Sequence, residues 1–395
     1  MKYILKYFYI LIKNIILNSF IFNIYKCLLY IIFISKKNNK NSNNLLLNIE
    51  LINPNRRYFQ IISQFLYCGY SCYIDISFYN FLKSDSYGIK ALKLDRVYKK
   101  NRNENYSIII SDNKKYLNSI NNNLLKIYIE FNIFNHLDDV NENDFFWPIS
   151  SHINYNFPKI EENILSKSLV NERKIGAIFA GNVNEKSYNN NITNILFNVY
   201  TRYELYNFIK RNIPENNLYI PKNLKTFLKD KENGYLKNKI VIIDTSKIKI
   251  PANIYFYILL DSLFYIHTCG TLYPYCHNQI ESMMAGCIPI TQFNNFYKPS
   301  LIHENNCLSY KTLDELIIIL NKISENKYNN IISKMNSNIH NYYISHYSFI
   351  SFNNKLLLLL NNKIKYSKYY IVTYLNESMI NELLNNKNKF EKKEV

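Results

Sequence analysis

Four short apolar runs in the second half of the chain constrain the fold more than any other feature. They read KIGAIFAGN, KIVIIDTS, LFYIHTCG and IPITQF and occupy 174–182, 239–246, 263–270 and 288–293. Unbroken apolar runs of this length are typical of strands buried on both faces, and helical patterns separate them here. Strands that alternate with helices form parallel βαβ units, so this half is predicted to be a doubly wound α/β domain.

The first half of the chain repeats the pattern. Its strand candidates are LLLNIELINPN, SCYIDIS, NYSIIISD and LLKIYIEFNIF, over 45–55, 71–77, 105–112 and 124–134. Between the first two, RRYFQIISQFLYCGY has helical spacing, and Gly69 ends that helix. The segment 144–158 breaks the alternation with the only Trp and two Pro, which indicates a passage between two domains.

A chain of 395 residues with 48% hydrophobic content is large enough for two domains. With one further segment at each end, the predicted organisation has four parts. An apolar or amphipathic helical segment with its linker occupies 1–40, and a Rossmann-like domain occupies 41–160. A second Rossmann-like domain occupies 161–345, and a helix with a charged tail occupies 346–395. Within the second domain, Thr312 followed by Glu315 predicts a capped helix start.

The amino-terminal segment 1–35 is apolar but interrupted by Lys and Asn. Its longest stretch without either is 27–35, whereas a membrane-spanning helix needs about 20 residues. On a helix Lys2, Lys6 and Lys13 share one side, which favours a helix lying on an anionic membrane at its cytoplasmic face. Two alternatives stay open: a helix that packs on the protein, and a single anchor that spans 15–35.

The net charge of +18 favours an anionic partner such as a membrane surface, a phosphorylated substrate or nucleic acid. Nucleic acid is not expected, because the chain has neither a dense Arg/Lys stripe nor zinc-finger spacing. The seven cysteines form no CxxC pair, which favours buried thiols in a reducing compartment.

One stretch, HNQIESMMAGCIPI over 277–290, carries the functional signal. It is predicted to be a short helix that begins near Asn278, after the strand 263–270 and its loop. That start faces the carboxyl edge of the sheet, where ligands bind, and helix amino termini bind phosphate. Glu281 is expected in the first turn, where it either accepts ribose hydroxyls or only stabilises the helix dipole. Gly286 is expected to end the helix in the left-handed conformation.

This stretch resembles the donor-binding signature of two-domain glycosyltransferases of the GT-B architecture. The match comprises Glu281, Ala285, Gly286, Pro289 and Ile290 and extends over about 173–345, and it is faint over 45–160. The resemblance implies two Rossmann-like domains that face a cleft. It also implies transfer of a sugar from a nucleotide-sugar co-substrate to a glycan, lipid or protein acceptor, with no metal and no further cofactor.

The resemblance assigns roles to individual residues. Glu281 would bind the ribose, and the backbone around Asn278 and Gln279 would contact the diphosphate. GAIFAGN, which ends in Gly181 and Asn182, looks like the family's first strand and glycine loop.

Side chains of the donor and acceptor sites are predicted from charge and position. His277 is a phosphate donor or a helix cap. The cations that could neutralise phosphate, each also interpretable as a solvated surface charge, are Lys186, Arg202 and Lys247. For the general base on the acceptor side, Asp75 at a strand end is the first choice and His152 the second.

Two departures from the family pattern favour an alternative function. One branch of the family has a Glu eight residues before Glu281, where this chain has Tyr273. The loop before the helix reads YPYCHN instead of a Gly-rich sequence. The alternative is a non-catalytic, membrane-docked protein with a degenerate glycosyltransferase fold.

Overall fold

The computed structural model describes residues 24–36, 43–50, 56–101, 104–120, 124–130, 145–148, 157–170, 172–189, 192–271, 274, 276–361 and 369–372. The chain divides into two compact units. One comprises Met1–Glu130 with Tyr366–Ile371, and the other comprises Phe131–Lys365 with Val372–Val395. Each unit contains a parallel sheet with helices, as expected for the predicted α/β class. The four predicted functional segments with boundaries at 40, 160 and 345 stay predictions.

The first element that the structure describes in the first unit is a helix, α1, over 24–35. Its remaining elements up to Glu130 are β1 (Asn44–Asn48), α2 (Arg56–Tyr67), β2 (Ser71–Asp75), α3 (Phe78–Leu82), α4 (Ser86–Lys93), β3 (Val97–Lys99), β4 (Ile108–Ser111), α5 (Lys114–Ser119) and β5 (Leu125–Glu130). The strands lie in the order β3-β2-β1-β4-β5 and pair in parallel. Apolar side chains at the centre of the sheet, such as those of Leu45 and Ile110, are fully buried.

Helix α1 packs on the rest of the first unit through one face. Phe33 is 2% exposed, and the ammonium group of Lys26 donates to the carbonyl oxygens of Leu82 at 2.5 Å and Ser84 at 3.0 Å. Lys36 donates in the same way to Leu92. These lysines satisfy carbonyl groups at the ends of α3 and α4, which would otherwise lack partners. No helix in the described part of the chain is long and apolar enough to cross a bilayer.

The second unit begins with β6 (Phe145–Pro148), α6 (Phe157–Ser168), β7 (Ile175–Gly181), α7 (Glu185–Tyr188), α8 (Ile192–Phe197), α9 (Arg202–Asn212), β8 (Leu218–Tyr219), α10 (Leu224–Glu232), β9 (Ile240–Asp244) and α11 (Ala252–Leu260). It continues with β10 (Ser262–Ile266), α12 (His277–Met284), β11 (Ile288–Thr291), β12 (Leu308–Ser309), α13 (Leu313–Ser324), α14 (Asn329–His346) and α15 (Phe349–Leu360). A last strand, β13 (Tyr369–Val372), follows and lies beside β5 in the first sheet.

The second sheet has the order β12-β11-β10-β7-β9-β8, and its pairings are parallel. The four apolar runs of the sequence form β7, β9, β10 and β11, so the prediction of a parallel sheet is confirmed. The predicted capping box of Thr312 and Glu315 is present at the start of α13. After β7 the chain adds β9 on one side and then crosses to add β10 on the other. The ends of β7 and β10 therefore form the point at which the strand order reverses.

Candidate functional site

The carboxyl ends of β7 and β10 are neighbours, and they define the candidate site. The two strands pair in parallel, with Phe264 opposite Ala177 and Tyr265 opposite Ile178. In doubly wound sheets, ligands bind outside the strand ends at this reversal of order. Gly181 ends β7 and Asn182 follows it, and His267 to Cys269 follow β10.

Helix α12 begins at this edge and is fastened to it. The amide nitrogen of the Asn278 side chain donates to the carbonyl oxygen of Ala180 at 3.1 Å and to the Tyr265 hydroxyl oxygen at 3.3 Å. The Tyr265 hydroxyl donates to the same carbonyl at 3.0 Å. Asn278 thus holds the helix start against the end of β7, which the sequence did not indicate.

Arg202 is the most strongly organised charge at the site. It is only 6% exposed, so its interpretation as a solvated surface charge is wrong. Its Nε donates to Thr268 Oγ1 and to the carbonyl oxygen of Cys269, both at 3.0 Å, and its Nη1 donates to the Asn182 carbonyl oxygen at 3.2 Å. The guanidinium lies 4.1 Å from the centre of the Tyr188 ring. Nη2 forms no hydrogen bond with any residue that the structure describes.

The other two predicted cations are exposed. Lys186 lies on the surface of α7. The side chain of Lys247, 76% exposed, follows β9 and lies 3.7 Å from a carboxylate oxygen of Asp244. Both follow strands that end at the same edge as the candidate site. Neither is held in place by buried hydrogen bonds as Arg202 is.

Glu281 is not in the first turn of α12, contrary to the sequence prediction. The helix begins at His277, so Glu281 is in the second turn, and its side chain has no exposed surface. Burial chiefly raises the pKa of Tyr255 well above its usual value, with contributions from Tyr265 and the Glu281 carboxylate. Burial likewise raises the pKa of Tyr343 on α14, with a smaller contribution from the Glu281 charge, and Glu281 lies on a buried face of α12. Its role at the ribose stays a prediction, and this conformation does not present it to solvent.

Gln279 and His277 differ in burial. Gln279 is fully buried, and its side-chain amide donates to the carbonyl oxygens of Thr268 at 2.9 Å and Pro274 at 2.7 Å. Its side chain is therefore used to hold the preceding loop. His277 is the first residue of α12 and is half-buried, and its contact with phosphate stays a prediction.

The predicted general bases belong elsewhere in the chain. Asp75 ends β2 in the first unit, and Lys100 donates to its carboxylate at 2.6 Å. His152 lies outside the described residues. Sequence reasoning missed Asp112, which follows β4, is fully buried and accepts a 2.8 Å hydrogen bond from the Tyr58 hydroxyl. No cluster of three or more metal-ligating side chains occurs within the described ranges.

Gly286 ends α12 as the sequence predicted. Its φ is +74°, its N–H donates to the Met283 carbonyl at 2.9 Å, and the N–H of Cys287 donates to Ser282 at 2.9 Å. This pair of hydrogen bonds is the Schellman arrangement. A Cβ at Gly286 would lie 2.8 Å from Nη2 of Arg173, so glycine is required for space as well as for conformation.

Replacing Gly286 with alanine is expected to destabilise the second unit more than replacing Gly234 does. Both glycines have left-handed backbones, with φ of +74° and +75°, but no atom lies within 4 Å of a Cβ at Gly234. Gly234→Ala should therefore cost only the backbone strain, about 1–2 kcal/mol, and Gly286→Ala should cost more because Arg173 must move. Urea unfolding measures both, and equal losses would contradict the steric argument.

No protein-family model and no curated protein sequence matches the chain. Comparison with solved structures finds HepE of Anabaena in complex with UDP, at 10% identity and a TM-score of 0.43, over 81% of this chain and 100% of HepE. It also finds sucrose-phosphate synthase of Thermosynechococcus elongatus, at 9% identity and 0.42, over 81% and 99% of the two chains. A glycosyltransferase from Rickettsia africae has 13% identity and a TM-score of 0.40, over 82% and 99%. Similarity at this level gives no information about the site, which is inferred from the contacts within this chain alone.

Proposed function

We propose that this chain is a glycosyltransferase that takes its sugar from a nucleotide-sugar donor and binds the donor's diphosphate at Arg202. The observation that carries the proposal is an arginine that is only 6% exposed at the reversal point of a parallel sheet, beside a helix start. Burying a cation costs free energy unless hydrogen bonds and an anion compensate it. Its Nη2 keeps a donor for a phosphate oxygen, and Arg binds phosphate through paired N–H groups.

The proposed chemistry needs positive charge where the leaving group forms. A bond forms between the acceptor oxygen and the anomeric carbon while the bond from that carbon to the diphosphate breaks. Arg202 and the amino terminus of α12 would stabilise the negative charge that develops on the diphosphate. Around them we propose His277, Lys186 and Lys247 as further phosphate contacts, with Gly181 and Asn182 lining the site. This donor set needs no metal.

Two roles in the proposal rest on position in the sequence alone. Glu281 is kept as the ribose residue, which requires the groups that cover its carboxylate to move. Asp75 or His152 is kept as the base that receives the proton of the acceptor hydroxyl. Since Lys100 already donates to Asp75, that carboxylate would have to exchange a partner before it could act.

Calorimetric titration of the full chain with UDP, GDP, CDP and the matching nucleoside monophosphates tests the proposal. We expect one diphosphate to bind and to bind more tightly than its monophosphate, and the matching nucleotide sugar to be turned over with a glycan or lipid extract. Failure of all three diphosphates to bind would refute the proposed function. That absence of binding is the result that the non-catalytic alternative predicts.

For the acceptor side we propose an anionic membrane surface, because the outer face of α1 is apolar. Side chains on this face are roughly half exposed, with Leu28 at 55% and Ile31 at 56%. Lysines border it on both sides: Lys93 donates to the Tyr25 hydroxyl at 2.5 Å, and Lys99 donates to the Tyr30 hydroxyl. Apolar side chains framed by tyrosine and lysine suit the interface between acyl chains and anionic headgroups.

Replacing both Leu28 and Ile31 by serine is expected to reduce partitioning onto phosphatidylglycerol vesicles about tenfold or more. The variant loses two apolar side chains that would insert into the membrane surface. The control is Ile350→Ser on α15, whose side chain is 61% exposed in the second unit. Vesicle co-sedimentation at two salt concentrations measures the effect. Equal binding of the double variant, or no binding by the unaltered chain, would contradict this proposal.

A further inference from the structure

Four buried polar side chains form one hydrogen-bonded chain beneath the loop that precedes α12. They are His267, Gln279, Ser282 and Tyr297, here called the His267 network, and none has exposed surface. Tyr297 Oη lies 2.8 Å from Gln279 Oε1 and 3.0 Å from His267 Nδ1. His267 Nε2 lies 3.1 Å from Ser282 Oγ. Such a network costs free energy unless each member finds its partners, so its geometry is strongly determined.

The protons of the network can be assigned in order. Both N–H groups of the Gln279 amide donate to backbone carbonyls, so its oxygen must accept from the Tyr297 hydroxyl. The Tyr297 oxygen then accepts from His267 Nδ1. The Ser282 hydroxyl lies 2.8 Å from the Gln279 carbonyl oxygen and 3.1 Å from His267 Nε2, and its single proton serves these two acceptors. Burial lowers the pKa of His267 to about 3, so the imidazole stays neutral as this assignment requires.

The network reaches Arg202 through Thr268. Gln279 holds the carbonyl oxygen of Thr268 at 2.9 Å, and the hydroxyl oxygen of the same residue accepts from Arg202 Nε at 3.0 Å. Gln279 also holds the carbonyl oxygen of Pro274 at 2.7 Å. One amide thus bonds both to Thr268, which follows β10, and to Pro274, which precedes α12. The position of Thr268, and with it one of the bonds that orient Arg202, depends on this amide.

We propose that Gln279, Tyr297 and His267 are positioning residues that set the orientation of Arg202 toward a bound diphosphate. The inference depends on the proposed function only for the identity of the ligand. The hydrogen bonds that link the network to Thr268 and Arg202 are formed within the protein. It also assigns Gln279 a role different from ligand contact: its side chain acts through the loop, not on the donor.

The first arm of the test needs no ligand. Tyr297→Phe removes one hydroxyl and leaves Gln279 Oε1 and His267 Nδ1 without it. We expect the amides of 268–271 and 276 to exchange with deuterium about tenfold faster, because each buried hydrogen bond limits local opening. The control is Tyr343→Phe, which removes an equally buried hydroxyl bonded to Glu161. Unchanged exchange in the Tyr297 variant, or the same change in the control, would overturn the inference.

The second arm measures coupling to Arg202. Tyr297→Phe should weaken binding of the nucleoside diphosphate about tenfold in the unaltered chain, and less than twofold when Arg202 is already lysine. Equal weakening in both backgrounds would refute a positioning role, since it would mean that the network does not act through Arg202. If the unaltered chain binds no diphosphate, the proposed function fails, and the exchange measurement alone still decides whether the network orders the loop.

Discussion

Replacing Arg202 with glutamine is expected to weaken nucleoside diphosphate binding about 100-fold, because a charged hydrogen bond to phosphate is worth about 1.5–3 kcal/mol and the buried positive charge is lost as well. Replacement with lysine should weaken binding about tenfold, since lysine keeps the charge but cannot bond Thr268, Cys269 and Asn182 while it also contacts phosphate. Calorimetric titration measures both dissociation constants.

The matched control for this prediction is Arg211→Gln. Arg211 is on the same helix, α9, and is exposed. Its replacement should leave the affinity within about twofold, as expected for a screened surface charge. Urea unfolding must show that each Arg202 variant is still folded at the titration temperature. A folded Arg202→Gln protein with unchanged affinity would remove the observation on which the proposed function rests.

Replacing Arg173 with methionine is expected to lower the free energy of unfolding of the second unit by roughly 3 kcal/mol or more. The guanidinium donates to the carbonyl oxygens of Leu260 at 2.8 Å and of Ser262 and Ala285 at 3.0 Å, and it also donates to Ser168. These carbonyls lie at the ends of α6, α11 and α12 and at the start of β10. Methionine has similar length but no donors, so several carbonyls lose their partner at once.

Urea unfolding of the full chain measures this loss, with Arg211→Met as the control for the change of residue type. The slope of the transition should stay constant, because the surface exposed on unfolding does not change. A midpoint shift no larger than that of the control would show that water replaces the guanidinium at these carbonyls. The prediction has a functional side too, because Arg173 bonds to the end of α12, the helix whose start faces the candidate site.

The strands of the second sheet were predictable because their signal is local. An unbroken apolar run such as the one in β9 is buried on both faces whatever its neighbours are. The same holds for the capping box of α13 and for Gly286, where the conformation depends on a few adjacent residues. The start of α12 was predicted within one residue, at Asn278 instead of His277.

The environments of Arg202 and Glu281 are not determined by their neighbours in the sequence. Arg202 precedes Thr268 and Cys269 by more than sixty residues, and nothing near it in the sequence distinguishes it from an exposed arginine such as Arg211. Glu281 was expected in the first turn of α12, but it lies in the second turn and is fully buried. Both outcomes depend on which strands are neighbours and on which face of a helix meets the sheet.

The amino-acid sequence by itself determined the alternation of strands and helices, the parallel class of the sheets and the cap that ends α12. Only the tertiary structure decided that β10 lies beside β7, that Arg202 is buried at their ends, and that a network centred on His267 supports the loop next to it. The physical reason is the separation along the sequence over which each property is determined. Burial patterns and backbone conformations depend on neighbouring residues, whereas the environment of a charge is set by groups that packing brings together from distant parts of the chain.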